Sequence, residues 1–472
     1  MARRSFACAK WVSRLALRRI LIANRGEIAV RIIRTCRKLN IETVLAASAA
    51  DLDSIPAQLA DRTICIGPAR PADSYLKVDT IVHAALATKS DAIHPGYGFL
   101  SERAPLASLC EANGVVFIGP TAAQIEAVGD KLRARSEAEA AGVPVVPGCA
   151  VSTVAEAMAG ARDLGVPILV KAVGGGGGRG LKRVDRLKDL PGNLDLAAAE
   201  AGAAFGDARV YLERFIASGR HVEVQILGDG KGRVIHLGER DCSVQRRYQK
   251  LLEETPAVGL SKSLREALHS AAVRFSERLL YRGAGTVEFL VDRERETFHF
   301  LEMNARIQVE HPVTEAVTGV DLIAEQIAIA AGAGLQLAQS DIQVRGCAIE
   351  CRVNAEDPGN DFRPSPGRVR EVTWPCGEGI RVDTYIAPGS RVPPFYDSLM
   401  AKIIAHGPDR AGALTRLRQA IASTRLTGVH SNVSFHEVVL ADPEFQLGGF
   451  DTGFVTRLLE RSRLTVESVS NG

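Results

Sequence analysis

From Arg19 onward, short runs of apolar residues alternate with stretches in which apolar positions recur every three or four residues. Residues 20–23 read as a buried strand, Gly26 as the turn after it, and 27–39 as a helix with Ile28, Ile32, Ile33 and Cys36 on one face. Further strands are expected at 43–47, 63–66, 92–94 and 115–118, with helical segments between them. Such a βα series predicts a parallel sheet, and hence an N-terminal α/β domain over 20–130. The rhythm changes near Asp130: 131–141 reads as a helix stopped at Gly142, with Pro144 and Pro147 as punctuation. Beyond it strand pairs outnumber crossovers, which predicts an antiparallel or mixed α+β domain over 131–332. After the Ala- and Gly-rich stretch 330–334, a third region (333–461) carries short β runs and is expected to end in a helix around 411–423, a mixed α+β domain followed by a tail at 462–472. There is no internal repeat.

Composition narrows the function classes. A chain of 472 residues suits about three domains, and 46% hydrophobic with 24% charged residues is ordinary for a folded protein. The balance of 58 basic against 55 acidic residues leaves +3, evenly interspersed, which argues against a nucleic-acid partner. No apolar run approaches the roughly 20 residues that span a bilayer, so no membrane role is expected. Nine cysteines occur without a CxxC pair, and the nearest two, Cys347 and Cys351, lack histidines at zinc spacing. That usage fits a reducing, cytoplasmic setting. Residues 1–19 carry Arg3, Arg4, Lys10, Arg14, Arg18 and Arg19 with no acid. A transit-like segment (hence an organellar location), a basic tail and an overextended start are the three readings of that leader.

Candidate chemistry begins at 168–173, a strand carrying Lys171 that runs into five consecutive glycines (174–178), Arg179 and Gly180. Ordering such a loop is entropically costly, and backbone N–H groups closing over polyphosphate would compensate; a surface linker is the bland alternative. Gly175, Gly177 and Gly180 formally satisfy GxGxxG, but five glycines generate that by chance, and 181–184 reads as a strand rather than the helix a dinucleotide site needs. No Lys-Ser or Lys-Thr closes a Walker loop either.

Residues 285–291 and 297–306 are apolar runs flanking the charged turn 292–296, which predicts a β-hairpin. With the turn centred near Arg295, Glu288 faces Glu302, and period 2 places Glu302, Asn304 and Arg306 on one face. Two carboxylates so placed repel by up to about 4 kcal/mol at an effective dielectric near 20. A divalent cation removes that penalty, and Glu, Glu and Asn are the oxygen ligands Mg²⁺ prefers beside phosphates; the alternative is a slipped register with both acids in solvent. Downstream, Arg306 could hold a small anion while Glu310 takes a proton from it, or the two could form a surface ion pair. His311 before Pro312 reads as structural. The run 239–250, which includes Cys242, reads as a solvated charged stretch, with anion binding as the minority reading. Only 12 of the 58 basic residues are lysines, so Lys131, Lys171 and Lys250 stand out as possible requirements for a compact ammonium.

Taken together, the segments 23–29, 94–102, 174–180, 239–250, 302–315 and 350–358 resemble, in order and along residues 20–459, the biotin carboxylase branch of the ATP-grasp enzymes. The resemblance implies an N-terminal parallel-sheet (pre-ATP-grasp) domain, a central ATP-grasp domain with a glycine-rich lid, and a C-terminal mixed α+β domain. It also implies site roles. Lys131 and Lys171 would contact ATP phosphates, Gly177 and Gly178 would close the lid, and Glu213, Arg214, Phe215, Ile216, His221 and Tyr248 would surround the nucleotide. Glu288 and Glu302, assisted by Asn304, would bind Mg²⁺ or Mn²⁺. Lys250, Arg306, Gln308 and Val309 would cradle bicarbonate, Glu310 would be the base, and Arg352 with Tyr97 would receive biotin.

The activity so implied is ATP- and bicarbonate-dependent carboxylation of biotin on a separate carrier protein through carboxyphosphate, since no Met-Lys-Met biotinylation motif occurs. Acetyl-CoA carboxylase, with its carboxyltransferase subunits, is the default assembly; propionyl-CoA, methylcrotonyl-CoA, pyruvate and urea systems are the alternatives, and a homodimer is expected. One departure is Tyr248, where the family usually has histidine: a phenol cannot carry positive charge. It is the one feature favouring a non-catalytic nucleotide-binding subunit. A carbamoyl-phosphate-type ligase is disfavoured by the segments around Tyr97 and Arg352.

Overall fold

A computed structural model describes residues 17–174, 180–217, 219–292 and 295–461. Gly177 and Gly178, residues 1–16 of the expected leader and the expected tail 462–472 lie outside the described residues. The N-terminal region is a five-stranded parallel sheet: β1 (Arg19–Ile22), β2 (Glu42–Ala47), β3 (Arg62–Cys65), β4 (Ala92–His94) and β5 (Val116–Phe117), in the order β3-β2-β1-β4-β5. Covered on both faces, β1 buries Ile20, Leu21 and Ile22 in succession, as parallel sheets require. Helix α1 (Gly26–Lys38) buries the expected face, with Glu27 in its first turn and Arg37 and Lys38 in its last, matching the helix dipole. Gly26 adopts φ +67°, a left-handed conformation that glycine takes without strain.

Helix α2 (Lys131–Ala140) is capped by the Asp130 carboxylate. It leads to a small antiparallel sheet of β6 (Gly148–Ala150), β7 (Ile168–Ala172), β8 (Leu181–Val184) and β9 (Val210–Arg214), ordered β6-β9-β7-β8. That sheet packs on its own cluster, including Ile168, Val170, Leu190 and Leu212, separate from the main cores. Strands β7 and β8 bracket residues 174–180.

The remaining large strands form one eight-stranded antiparallel sheet: β10 (Arg220–Asp229), β11 (Val234–Arg246), β12 (Gln249–Thr255), β13 (Arg282–Asp292), β14 (Thr297–Asn304), β15 (Cys347–Asn354), β16 (Ile380–Thr384) and β17 (Leu399–Gly407). Their order is β14-β13-β10-β11-β12-β15-β17-β16. The β12–β15 pairing carries this sheet without interruption from the middle of the chain into its C-terminal region. Helix α3 (Lys262–Arg278) covers one face, and Phe275 there shares a core with Leu21 and Ile93 of the parallel sheet. Helix α4 (His311–Thr318) lies over β15 on the other face. Helix α5 (Arg410–Ser423) matches expectation, but it does not end the region: a short strand and α6 (Val433–Ala441) follow, and residues 454–461 are again helical.

The charged stretch 239–250 corrects the solvated reading. Most of it is β11, and Glu239, Arg240, Asp241 and Cys242 are all buried. Each charge finds a partner from elsewhere: Glu239 accepts from Arg265 and lies 2.7 Å from the His269 ring nitrogen, Arg240 binds Glu223 at 2.6 Å, and Asp241 binds Arg220. A local window shows the charges and not these partners, because they come from other elements of the fold.

Removing one member of such a pair strands the other. Asp241→Asn is expected to destabilise the fold by about 3–5 kcal/mol, because the wholly buried Arg220 guanidinium loses its counter-charge. The test is the chemical denaturation midpoint; the double variant Arg220→Met/Asp241→Leu should recover much of the loss.

Candidate active site

Four side chains on adjacent strands form one rung across the large sheet. Glu302 on β14 is opposite Glu288 on β13, Glu288 is opposite Glu223 on β10, and Glu223 is opposite Arg240 on β11. Residues directly opposite in an antiparallel ladder project on the same side, so the hairpin expected from the sequence has its expected register. A bulge follows Glu288.

Cations hold this acidic row together. The Lys250 ammonium, on β12, reaches Glu223 at 2.6 Å, Glu288 at 3.1 Å and Glu310 at 2.6 Å. Glu288 also accepts from Asn304 Nδ2 at 2.8 Å and meets His221 Nε2 at 2.9 Å, while Lys131 lies 3.4 Å from Glu302. Burial opposes charge on Glu288, yet Lys250 and His221 hold its carboxyl well below the usual range. Burial likewise opposes the His221 imidazolium, but Glu288 raises it. Burial disfavours the Lys250 charge, and the surrounding carboxylates nevertheless keep it well above the normal lysine range. The oxygens of Glu288, Glu302 and Asn304 are a hard donor set suited to Mg²⁺. That Lys250, His221 and Lys131 now neutralise the two carboxylates shows how strongly this rung calls for positive charge.

Glu310 immediately precedes α4, makes no side-chain capping bond to it, and is fully buried. Its two oxygens meet Lys250 and, at 2.8 Å, Arg352 Nη2, so the surface ion pair with Arg306 does not form. Burial would raise the carboxyl, but Lys250, Arg352 and Arg240 hold it far below the ordinary carboxylate value. Arg306 instead binds Glu102 at 2.8 Å, Gln308 Oε1 at 2.8 Å and Asn304 Oδ1 at 3.0 Å, which links the metal-type ligands to the 305–310 loop. Arg352 is gripped from the other side by Glu253, whose burial pushes its carboxyl up to about 7. Cys242 Sγ lies 3.9 Å from Glu310, and burial with Glu223 nearby keeps its thiol protonated. His311 is buried with Nδ1 on the Gln308 carbonyl, a structural role.

The other expected residues make contacts of their own. Lys171 on β7 binds Glu213 at 2.8 Å, and Phe215 lies under Arg183, with Arg214 and Ile216 on the same connection. Tyr97, in the loop after β4, donates to Glu27. Tyr248 is 56% exposed in the turn between β11 and β12. Sequence reasoning missed Glu223, Glu102 and Glu253 as partners. Glu223 had a signal, an acid centred in an apolar strand; the other two are recognisable only once the strands are paired.

Comparison with known families and proteins extends these findings. Residues 16–125 match the family "Biotin carboxylase, N-terminal domain", 130–338 match "Carbamoyl-phosphate synthase L chain, ATP binding domain", and 350–457 match "Biotin carboxylase C-terminal domain". The chain is 51% identical to the biotin carboxylase of Nostoc sp. over 443 residues, covering 93% of this chain and 99% of that protein. It superimposes with a TM-score of 0.92 and 41% identity on the Campylobacter jejuni biotin carboxylase crystallised with a β-γ-ATP ligand, covering 94% of this chain and 100% of that one. It also matches, at a TM-score of 0.91 and 44% identity, the dimeric biotin carboxylase domain of Hydrogenobacter thermophilus 2-oxoglutarate carboxylase in complex with MgADP, ADP and bicarbonate, covering 93% and 97% of the respective chains.

With Lys250 as the principal cation beside Glu310, Lys250→Gln is expected to raise the Glu310 ionisation midpoint by at least about one pH unit. The sign follows from losing an attraction to the charged form. Infrared difference spectroscopy of the carboxyl stretch, assigned by comparison with Glu310→Gln, measures it; an unchanged midpoint would assign the stabilisation to Arg352 and Arg240.

Proposed function

The chain belongs to the biotin carboxylase family and is an ATP-dependent carboxylase ligase, and from that premise we propose how its residues divide the work. ATP lies between the small antiparallel sheet and the acidic rung. Lys131 and Lys171 meet its phosphates, Gly177 and Gly178 close over them, and Glu213, Arg214, Phe215, Ile216, His221 and Tyr248 border the nucleoside. Glu288 and Glu302, with Asn304, are the residues that would hold Mg²⁺ or Mn²⁺, which when bound offsets charge on the nucleotide phosphates.

Bicarbonate sits against Lys250, Arg306, Gln308 and the Val309 backbone, where Glu310 takes its proton. Held far below the normal carboxylate range, Glu310 is ionised across the physiological range. The resulting dianion attacks the γ-phosphoryl group, giving carboxyphosphate and ADP. Carboxyphosphate breaks down to CO₂ and phosphate, phosphate takes the biotin N1 proton, and N1 attacks CO₂. Arg352 faces the ureido oxygen as it gains charge, a stabilisation effective where water is excluded. Tyr97 borders the biotin ring.

The observation that carries this reading is the convergence of Lys250 and Arg352 on the two oxygens of Glu310, with Lys250 also reaching Glu288. That is a base poised between an anion subsite and a guanidinium. The non-catalytic alternative loses its appeal, since the Tyr248 change lies at an exposed turn and leaves this cluster complete.

Among the described residues no helix is long and apolar enough to cross a membrane, and the eight cysteines there are unpaired, which supports a reducing compartment, the cytoplasm. We infer that the biotin arrives on a carboxyl carrier protein, that carboxyltransferase subunits complete the assembly with acetyl-CoA as acceptor, and that the chain pairs as a homodimer. The dimeric Hydrogenobacter domain supports the last of these.

The test is ADP release with and without bicarbonate, and its stimulation by free biotin. Glu310→Gln should lower the bicarbonate-dependent rate by about 10²-fold or more while ATP still binds. Turnover indifferent to bicarbonate in the unmodified chain would overturn the assignment.

A further inference from the structure

Lys402 lies on β17 with no exposed surface, directly opposite Arg352 of β15 on one side and Asp383 of β16 on the other. Its ammonium has two partners from distant parts of the chain. It donates to the main-chain carbonyl of Val309 at 2.8 Å and meets Glu27 Oε1 at 3.0 Å. The same Glu27 oxygen accepts from the Tyr97 hydroxyl. Lys402 is therefore the centre of an unbroken chain from the bicarbonate-side carbonyl to the biotin-side phenol, formed from three separate regions of the sequence.

We propose that Lys402, acting through Glu27, is a positioning residue that sets Tyr97 and the Val309 carbonyl in register with Arg352, so that the biotin and bicarbonate subsites are held by one buried charge. The inference rests on the function proposed above and deepens it, since no group in this chain except its two ends would touch a substrate. Stability alone gives a poor account of the pair, because a buried ion pair is often no better than the apolar residues that could replace it. A fixed register is what such a pair supplies instead. Burial pushes the Glu27 carboxyl up, and Lys402 is the largest influence in the opposite direction. Without the ammonium, the Glu27 carboxyl is pushed further up, and the oxygen on which Tyr97 depends becomes a weaker acceptor. The Val309 carbonyl simultaneously loses its donor, so one substitution loosens both subsites.

The experiment uses the full chain, with steady-state ADP release measured against bicarbonate, free biotin and ATP in turn. Lys402→Met is expected to raise the KM for bicarbonate and for biotin about tenfold each and to leave the KM for ATP within about twofold. Glu27→Gln, which keeps side-chain volume, should raise the biotin KM comparably, and it decides the matter if Lys402→Met fails to fold. Tyr97→Phe should raise the biotin KM in the unmodified chain but add less than about twofold in the Glu27→Gln background, because the link is already broken. If Glu27→Gln lowers only the melting temperature, with the KM values unchanged and the Tyr97→Phe effect undiminished, the pair is merely structural and the proposal is overturned. Absence of bicarbonate-dependent turnover in the unmodified chain overturns instead the parent reading.

Discussion

Three glutamates share one face of one rung, and the site's architecture depends on the cations that offset their mutual repulsion. Unscreened, adjacent carboxylates in the interior would force at least one to retain a proton. Lys250 prevents this by touching Glu223, Glu288 and Glu310 at once, while His221 and Lys131 complete the compensation at Glu288 and Glu302. A lysine suits this position because a compact ammonium has three donors without a preferred plane, whereas a guanidinium would face two carboxylates well and the third badly. On the proposed assignment, the base is charged because of the same cation that would hold the anion, so proton removal and anion binding would share one electrostatic device.

Sheet topology determines who can take part. Pairing of β12 with β15 brings Arg352 alongside Glu253, and the loop before α4 drops Glu310 between Arg352 and Lys250. Arg352 and Glu310 are 42 residues apart in sequence, yet Arg352 stands on β15 and Glu310 at the start of the helix packed over it, where a 2.8 Å ion pair joins them. The small sheet of β6 to β9, by contrast, has its own core, and α2, which leads to it, meets the acidic rung through Lys131 and Glu302. A rigid floor and a separately packed cover are what a reaction with a hydrolysable intermediate needs.

What the sequence revealed and what it hid follow from the range of the interactions involved. The β13–β14 hairpin is local, its turn is marked by five charged or polar residues, and alternation gives the facing of Glu288 and Glu302 without any tertiary information. The parallel order β3-β2-β1-β4-β5 was legible only as a βα rhythm. The stretch 239–250 was misread because charge density alone cannot tell solvent from a buried strand whose partners, Arg220, Glu223, Arg265 and His269, lie on other elements. Lys402 carried even less signal: a single lysine in an apolar strand looks like an edge residue until β15 and β16 are seen to flank it.

Tyr248 lies close in sequence to this demanding centre, on a turn that leaves its side chain free of it. Arg247 and Tyr248 form the two-residue connection between β11 and β12, both with positive φ, at +48° and +66°, the mirror-image turn that matches strand twist. Its side chain projects into solvent, so residue type there is limited by backbone conformation rather than by packing. Lys250 re-enters the ladder two positions later, opposite Gln245, and its contacts are fixed by that pairing whatever ring precedes it. Changing the ring at the turn alters an exposed surface, but it does not move the ammonium on which Glu223, Glu288 and Glu310 depend.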